Sequence, residues 1–281
     1  MDFATRFAPS PTGYLHKGHA YSALVAWRAA QEAGGRFVLR IEDTDFTRCR
    51  PVYDAAIFED LAWLGLDWEQ PVLRQSEHRA DYEAAIERLG GMGLLYRCFR
   101  TRKEQMALAG LAPHAGDPTD AQAFRGGPHP PQEEAAFLVQ GRPFAWRLSL
   151  AAARDRLGDF ADLTWTEEGL DPGLKSARPE TLGDMVVGRK DIGAGYVIAS
   201  VIDDARQGIS HVVRGVDLAE LTSMQRVLQA LLDLPTPIYR HHPLVLDETG
   251  KRLAKRDGST SLMSLRAAGM TPEALIAELG L

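Results

Sequence analysis

The chain has 281 residues, of which 45% are hydrophobic and 25% are charged, and its formal net charge at pH 7 is −6. This composition is typical of a globular protein with one large domain or two small ones, and no run of about 18 apolar residues could span a membrane. The acidic balance argues weakly against a nucleic acid partner, although basic residues cluster at 97–103 and 251–256.

The N-terminal segment predicts a phosphate-binding turn between a strand and a helix. An apolar strand over residues 3–8 precedes a turn rich in proline and glycine, and a helix is predicted over residues 19–33. His16, Gly18 and His19 lie where this helix begins. A helix N-terminus offers unpaired N–H groups and a partial positive charge, Gly18 allows a ligand to approach, and both imidazoles can donate to phosphate oxygens.

No basic region followed by an apolar one is present, so we predict no secretory signal and a cytoplasmic location.

Alternating strand and helix signals in the first part of the chain predict a parallel α/β sheet. A strand is predicted over residues 37–41, and helices are predicted over residues 52–64 and 79–89. The strand ends in an acidic run that contains Asp43 and Asp45. We expect these two carboxylates to act as helix-cap or turn partners and not as magnesium ligands.

The composition changes between residues 110 and 143, where prolines and glycines interrupt any long periodicity. This pattern predicts a loop-rich insertion with one short helix over 133–139, followed by strands of a small separate sheet at 145–150 and 161–166. Parallel α/β signals return at 184–187. The remaining predicted elements are a helix over 196–204, a strand over 211–214, a helix from Asp217 to about Leu232 with Glu220 as its capping-box partner, a strand over 242–246 turned by 247–250, and a last helix that begins at Thr271 and Pro272.

Five segments, taken together and in order, resemble the class I glutamyl-tRNA synthetase family over almost the whole chain. They are RFAPSPTG from Arg6, the motif His16-x-Gly18-His19, LRIEDTD over 39–45, HVVRGVDL over 211–218, and the basic segment at 252–256. The His-x-Gly-His motif alone would be weak evidence, since small adenylyltransferases share it. The resemblance implies an α/β fold with a Rossmann-type parallel sheet that carries the HxGH and basic-loop motifs and is split by an inserted α+β subdomain.

The resemblance also implies four parts of the chain. They are the first half of a Rossmann catalytic domain at 1–94, an inserted acceptor-type subdomain at 95–182, the second half of the catalytic domain with the basic loop at 183–258, and a short helical C-terminal segment without an anticodon-binding domain at 259–281. A compact chain of this length has a radius of gyration of ~19 Å and can engage only one arm of a tRNA. Short members of the family activate glutamate with ATP and attach it to the queuosine base in the anticodon of tRNA(Asp), and the chain length indicates that activity.

The charges of glutamate agree with the residues of these motifs. Arg6 and Arg214 can form bidentate pairs with the two carboxylates, and Glu42 can bind the ammonium, although which arginine binds which carboxylate stays open. From the residues alone, Arg214 could instead form a surface ion pair with Asp217, and Tyr196 could be a core aromatic residue. The resemblance implies that glutamate is bound by Arg6, Phe7, Ala8, Pro9, Ser10, Glu42, Tyr196 and Arg214.

Activation of glutamate needs no general base, because a carboxylate is already a nucleophile at neutral pH. The task is to position the reactants and to neutralise charge while pyrophosphate leaves. The resemblance implies that His16, Gly18 and His19 bind ATP, that Lys255 on the basic loop stabilises the leaving pyrophosphate, and that Mg²⁺ accompanies ATP. No residue can be assigned as the base for the later transfer to tRNA.

The sequence departs from the family at three points. Lys17 replaces an apolar residue, and Ala254 replaces a serine of the basic loop although Lys255 is retained. Many short relatives carry a zinc site with Cys-x-Cys followed by a tyrosine and a third cysteine, but here Arg100 stands in place of the second cysteine after Cys98, and no cysteine follows. One thiolate does not complete a tetrahedral site, so we predict no zinc, with His114 and His129 as the alternative ligands. We expect Cys98 and the other cysteine, Cys49, to be reduced thiols.

Two other functions stay open. A truncated or two-part glutamyl-tRNA synthetase would charge the 3′ end of a tRNA, and a non-catalytic paralogue would bind tRNA or glutamate for regulation. The intact histidine pair and Lys255 argue against the second alternative, since a pure binder does not need a lysine on the pyrophosphate side. The predicted partners are L-glutamate, ATP and the anticodon arm of tRNA(Asp), and a monomer that does not bind membranes is expected.

Overall fold

The computed structural model describes residues 2–101, 104–105, 124, 126–189, 193–246 and 260–281. The strands in these ranges are β1 (Ala4–Phe7), β2 (Arg36–Ile41), β3 (Glu69–Arg74), β4 (Leu95–Cys98), β5 (Ala145–Leu148), β6 (Thr164–Glu167), β7 (Gly173–Ser176), β8 (Val186–Arg189), β9 (Gly193–Ala194), β10 (His211–Gly215) and β11 (Ile238–His242). The helices are α1 (Lys17–Glu32), α2 (Pro51–Trp63), α3 (Arg79–Gly91), α4 (Pro131–Val139), α5 (Leu150–Leu157), α6 (Tyr196–Arg206), α7 (Leu221–Leu231), α8 (Leu262–Ala267) and α9 (Pro272–Glu278).

A parallel sheet forms the frame of the molecule, which confirms the predicted α/β class. Strand β2 pairs in parallel with β1 on one side and with β3 on the other, and β10 pairs in parallel with β11. Ser210 connects the two groups, since its N–H donates to Ala4 O at 3.0 Å and its Oγ accepts from Ala4 N at 2.8 Å. The spatial order is therefore β3-β2-β1-β10-β11. The sequence missed β3 because it contains Pro71, which is tolerated in this strand because it lies at the edge.

The second half of the chain corrects two predictions about sheets. Residues 184–187 do not return to the parallel sheet, because β8 pairs antiparallel with β5 in the sheet β4-β5-β8-β9. The strands predicted at 145–150 and 161–166 do not share one separate sheet, since β6 pairs with β7 and, through Glu167, with β11. A period of two in the sequence predicts a strand but not its partner. The division of the chain at 94, 182 and 258 stays a proposal.

Three predictions near the C-terminus have different outcomes. The prediction of a strand at 242–246 was wrong, because β11 ends at His242. Pro243 follows and has no N–H to donate to a neighbouring strand. The helix predicted from Asp217 begins at Leu221, and Glu220 at its N-cap makes no side-chain capping bond. The helix at Pro272 is confirmed, with the Thr271 hydroxyl accepting from Ala274 N. The turn predicted at 247–250 and the basic segment lie outside the described residues.

Two apolar cores lie on opposite sides of the strand that carries Arg214. One core lies between α1, α2 and the C-terminal helices and includes Leu24, Leu39, Ile57, Leu262 and Leu275. The other lies around α6 and α7 and includes Ile198, Met224, Leu228 and Tyr239. Successive residues of β10 belong to different cores, Val212 to the second and Val213 to the first, as the alternation of a strand requires. None of the described helices is long and apolar enough to cross a membrane.

Candidate active site

A cavity of about 380 Å³ opens at the carboxyl ends of β1, β10 and β11 and at the N-terminus of α1. In parallel α/β sheets, ligands bind where the strand order reverses, and here the chain leaves β1 toward β2 while β10 lies on the other side. The predicted site residues that line this cavity are Arg6, Phe7, Ala8, His16, Gly18, His19, Tyr196 and Arg214. The other lining residues were not predicted as site residues, although four of them lie in the HVVRGVDL motif; they are Ser22, Val213, Gly215, Asp217, Leu218, His242, Pro243, Leu244 and Val245.

Four predicted site residues are not among those that line the cavity. Pro9 and Glu42 connect the turn after β1 to the end of β2, since Glu42 N donates to Pro9 O at 3.0 Å. Ser10 belongs to the same turn, where its carbonyl accepts from Thr12 N at 2.8 Å. Lys255 lies outside the described residues.

His16 and His19 form the N-terminal cap of α1. The Nδ1 atom of His16 accepts from Gly18 N at 3.1 Å, and the Nδ1 atom of His19 accepts from His16 N at 3.2 Å. Each ring therefore carries its proton on Nε2, and the two ring centroids are 3.8 Å apart. A Cβ atom at Gly18 would lie 3.1 Å from Cε1 of His16, so glycine leaves room for this ring. Two imidazole rings that carry their proton on Nε2 therefore line the cavity where the helix begins.

Arg6 belongs to a buried ionic cluster that the sequence did not predict. Its Nε donates to Asp204 Oδ1 at 3.0 Å, and Arg40 Nη1 donates to the same oxygen at 2.7 Å. Arg40 Nη2 donates to Glu42 Oε1 at 3.2 Å, and its Nε lies 3.9 Å from Asp203 Oδ2. All five side chains are less than one tenth exposed. The cluster therefore contains one more carboxyl group than guanidinium groups.

Burial and pairing affect the acids of this cluster differently. Burial would raise the pKa of Asp204, but Arg6 and Arg40 outweigh it and hold this pKa below its usual value. For Glu42, burial raises the pKa more than Arg40 and Arg6 lower it. Burial also raises the pKa of Asp203, against the opposing effect of Arg40. Asp204 is thus the ionised counterion of both arginines. The cluster has one carboxyl group more than it has guanidinium groups, and a cation bound nearby would stabilise the ionised form of the remaining acids.

Arg214 is held from one side and keeps one buried donor without a partner. Its Nη2 donates to Thr222 Oγ1 at 2.8 Å and to Leu218 O at 3.1 Å, and its Nε donates to His241 Nε2 at 3.1 Å. Its Nη1 is buried and has no hydrogen-bond partner. An unsatisfied buried donor costs ~1–3 kcal/mol, more when it is charged. A ligand that accepts from Arg214 in the cavity would remove this cost.

Two further side chains at the cavity combine an aromatic face with a polar atom. Tyr196 begins α6 and is 37% exposed, so it is not the core aromatic residue that the alternative described. Burial followed by the charge of Glu42 raises the pKa of its hydroxyl. His242, which the sequence did not indicate, has Nδ1 at 2.8 Å from Pro243 O, and its buried Nε2 has no partner. Both residues lie where a polar ligand would contact them.

The segment that contains the basic motif begins and ends at the cavity. Val245 lines it, and the described chain resumes at residue 260. Ser261 then forms an antiparallel bridge with His16, and Leu262 N donates to Leu15 O at 2.8 Å. The described residues before the segment 247–259 therefore reach the cavity, and those after it are bonded beside the capped end of α1.

The two acids after β2 make structural contacts, as predicted. Asp43 accepts from Ser76 N at 2.8 Å and from Ser76 Oγ at 2.6 Å, and Asp45 accepts from Thr47 N at 3.1 Å. Within the described ranges, no group of three or more His, Cys, Asp or Glu side chains is placed to hold a metal ion. The absence of zinc stays a prediction, because His114 lies outside these ranges.

The whole chain is similar to known proteins. Residues 2–281 match the family described as tRNA synthetases class I (E and Q), catalytic domain. The chain is 44% identical over 278 residues to the glutamyl-Q tRNA(Asp) synthetase of Rhodobacter capsulatus, covering 95% of this chain and 96% of that protein. It is 42% identical over 276 residues to a glutamate–tRNA ligase of Parasynechococcus marenigrum, covering 96% of this chain but 56% of that one.

A solved structure shows the same architecture. The crystal structure of a glutamate tRNA ligase from Elizabethkingia meningosepticum, in complex with its amino acid, matches with a TM-score of 0.77 and 27% identity. The match covers 100% of this chain and 61% of that one. Together with the family match, it confirms the predicted Rossmann-type catalytic fold.

Proposed function

The chain belongs to the family of class I tRNA synthetase catalytic domains for glutamate and glutamine, and from this premise we propose that it is an ATP-dependent ligase that activates L-glutamate as glutamyl-adenylate. The observation that supports glutamate most directly is the charge distribution around the cavity. Arg214 has a buried donor without a partner, and the cluster around Arg6 has one carboxyl group in excess. A ligand with a carboxylate for the arginine and an ammonium near Glu42 would complement both features.

The capped end of α1 provides the site for the phosphates of ATP. The N-terminus of a helix favours anions, and His16 and His19 carry their ring protons on Nε2, the polarity that a phosphate oxygen requires. Mg²⁺ would bind chiefly through the phosphates and water, as is usual for this ion. Lys255 is proposed to stabilise the departing pyrophosphate, which agrees with Val245 lining the cavity before its segment and Ser261 pairing with His16 after it.

In the activation step, a substrate carboxylate oxygen attacks the α-phosphorus of ATP, and the bond from that phosphorus to the bridging oxygen breaks. No proton has to be removed, because the nucleophile is already ionised. The role of the protein is to hold the carboxylate and the α-phosphate together and to place cationic groups where negative charge accumulates. The position of the cavity between the arginines and the capped helix supports this proposal.

For the second step we propose transfer of glutamate to the queuosine base in the anticodon of tRNA(Asp). This proposal is supported by the similarity to the Rhodobacter protein of that name. We keep the four-part division of the chain, a monomeric state and a cytosolic location as predictions that accompany it. The competing function is the charging of a tRNA 3′ end, which the similarity to glutamate–tRNA ligases favours.

A transfer assay separates these functions. Labelled glutamate, ATP and the protein are incubated with tRNA(Asp) that contains queuosine, with tRNA(Asp) that lacks it, and with tRNA(Glu). We expect label only on the first tRNA. Label on tRNA(Glu) would support 3′-end charging, and label on none of them, despite adenylate formation, would exclude the proposed acceptor.

A further inference from the structure

A buried chain of hydrogen bonds extends from β6 to the arginine at the cavity. Glu167 Oε2 lies 2.6 Å from His241 Nδ1, and His241 Nε2 accepts from Arg214 Nε at 3.1 Å. The three side chains are 6%, 4% and 5% exposed. The strand predicted over 161–166 was assigned to a separate sheet, but β6 extends to Glu167, whose pairing with Tyr239 of β11 brings this carboxylate to His241.

The contacts require one tautomer of His241. Arg214 Nε–H is always a donor, so Nε2 of His241 must accept and the ring proton must lie on Nδ1, facing Glu167. The carboxylate at Glu167 is acceptor-only when ionised and therefore selects this tautomer. Burial, followed by the charge of Arg214, lowers the pKa of His241 and keeps the ring neutral. Donors and acceptors are therefore matched along the hydrogen bonds from Glu167 through His241 to Arg214.

The backbone fixes the position of Glu167. Its Oε1 accepts from His241 N at 2.9 Å and from Gly169 N at 2.8 Å. A Cβ atom at Gly169 would lie 2.1 Å from His241 O, so the close approach of the segment after β6 to β11 requires glycine. On the other side of Arg214, Thr222 and Leu218 hold Nη2. The guanidinium is thus held at Nε and at Nη2, which leaves Nη1 as the donor without a partner.

We infer that Glu167 and His241 are positioning residues that orient Arg214 toward a carboxylate of the amino acid substrate and so determine the affinity for that substrate. The inference rests on the proposed function, which assigns the carboxylate to Arg214. Neither residue lines the cavity, so both act through Arg214 and not by contact with substrate. Loss of these hydrogen bonds leaves the charge of Arg214 in place but allows its guanidinium to rotate, so that Nη1 turns away from the substrate carboxylate.

The test uses Glu167→Gln, which keeps the shape of the side chain. Its amide can donate to Nδ1 and stabilise the wrong tautomer, whose Nε2–H would oppose the Nε–H of Arg214. We expect the KM for glutamate in ATP–pyrophosphate exchange to rise about 10-fold, with the KM for ATP unchanged. The matched control is Glu168→Gln, which removes the same charge one residue along, where Glu168 pairs with Arg240 on the surface at 2.9 Å. The control should leave both KM values unchanged.

A second pair of variants tests His241 in the same assay. His241→Gln can still present an oxygen to Arg214 Nε, whereas His241→Phe fills the space without an acceptor. We expect the Gln variant to retain most of the glutamate affinity that the Phe variant loses. An unchanged KM for glutamate in Glu167→Gln, or an equal rise of both KM values, would overturn the inference.

The failure of the proposed function would be recognised separately. If the wild-type protein shows no exchange with glutamate, that function is wrong, and the positioning claim is then decided by nitrogen-15 NMR of the histidine rings. We expect the wild-type His241 ring to carry its proton on Nδ1 and Glu167→Gln to lose this preference. A proton on Nε2 in the wild-type protein would refute the chain of contacts.

Discussion

Replacing Asp204 by asparagine should destabilise the protein far more than the same replacement at the adjacent residue, Asp203. Asp204 is the shared counterion of Arg6 and Arg40, with contacts at 3.0 Å and 2.7 Å. The neutral amide of Asp204→Asn would leave both guanidinium groups buried without this charge. Breaking a buried ion pair by removing one partner costs ~3–5 kcal/mol.

Asp203 has a different environment, although it is equally buried. It accepts from Gln75 Nε2 at 2.8 Å and from Tyr82 OH at 2.8 Å, and its distance to Arg40 Nε is 3.9 Å. Burial raises the pKa of Asp203, whereas the two arginines lower that of Asp204, so the folded protein stabilises the ionised form of Asp203 less. Both donors contact Oδ2, so an amide oxygen in that position can still accept from both, and only the contact of Tyr82 with Oδ1 at 2.9 Å is lost. Asp203→Asn should therefore cost only about 1–2 kcal/mol, the price of imperfect hydrogen bonds.

Urea denaturation at neutral pH, followed by tryptophan fluorescence, gives both free energies of unfolding. A surface control is Asp171→Asn, whose partner is Lys175 and whose side chain is 88% exposed, so no change in stability is expected. We expect the urea concentration at the midpoint of unfolding to be highest for the control, lower for Asp203→Asn and lowest for Asp204→Asn. An equal or larger loss in Asp203→Asn would refute the reasoning that Asp204 is the counterion of the cluster.

Three further predictions follow from the site and its surroundings. Asp60 on α2 is buried with neither carboxylate oxygen hydrogen-bonded, and burial raises its pKa from 3.8 to about 6. The folded pKa lies above the unfolded value, so the folded protein binds this proton more tightly than the unfolded chain. Proton binding therefore contributes to the free energy of unfolding at low pH, and this contribution is lost as the pH rises through about 6. The difference in pKa corresponds to ~3 kcal/mol. Asp60→Asn should thus melt at a higher temperature than wild type near about pH 7.5 and lose most of that advantage near about pH 4; a difference independent of pH would contradict this. Arg214→Lys should raise the KM for glutamate about 10- to 100-fold and leave the KM for ATP unchanged, because an ammonium group does not reproduce the donors of the guanidinium; equal activity would exclude Arg214 as a carboxylate ligand. Lys255→Ala should slow exchange about 100-fold with little change in glutamate affinity measured by calorimetry, and equal losses of both would count against its role at pyrophosphate.

The sequence indicated the residues that belong to the motifs and those whose charges complement glutamate. Arg6, His16, His19 and Arg214 lie at one cavity because β1, α1 and β10 each follow short-range rules of strand and helix formation. The position of Arg214 depends on β10 lying beside β1, and no local pattern in the sequence indicates which strands are neighbours. Local pattern therefore indicated the elements that carry these residues, whereas the family resemblance was needed to bring them together as one proposed site.

The residues that support the site were missed because their partners are distant in sequence. Asp203 and Asp204 lie 163 and 164 positions from Arg40 in the chain, and acidic residues at the end of a helix usually face solvent. A signal was present, since both follow the apolar run from Val197 to Ile202. Glu167 has the alternation expected of a strand and shares its buried face with Trp165, but the sequence does not show that β6 pairs with β11.

The central claim is that this cavity activates glutamate with ATP, and ATP–pyrophosphate exchange in the absence of tRNA tests it most directly. The purified chain is incubated with ATP, Mg²⁺, labelled pyrophosphate and one amino acid at a time. We predict exchange that depends on glutamate and is not supported by glutamine or aspartate. No exchange with glutamate, or exchange that appears only when tRNA is added, would contradict the account.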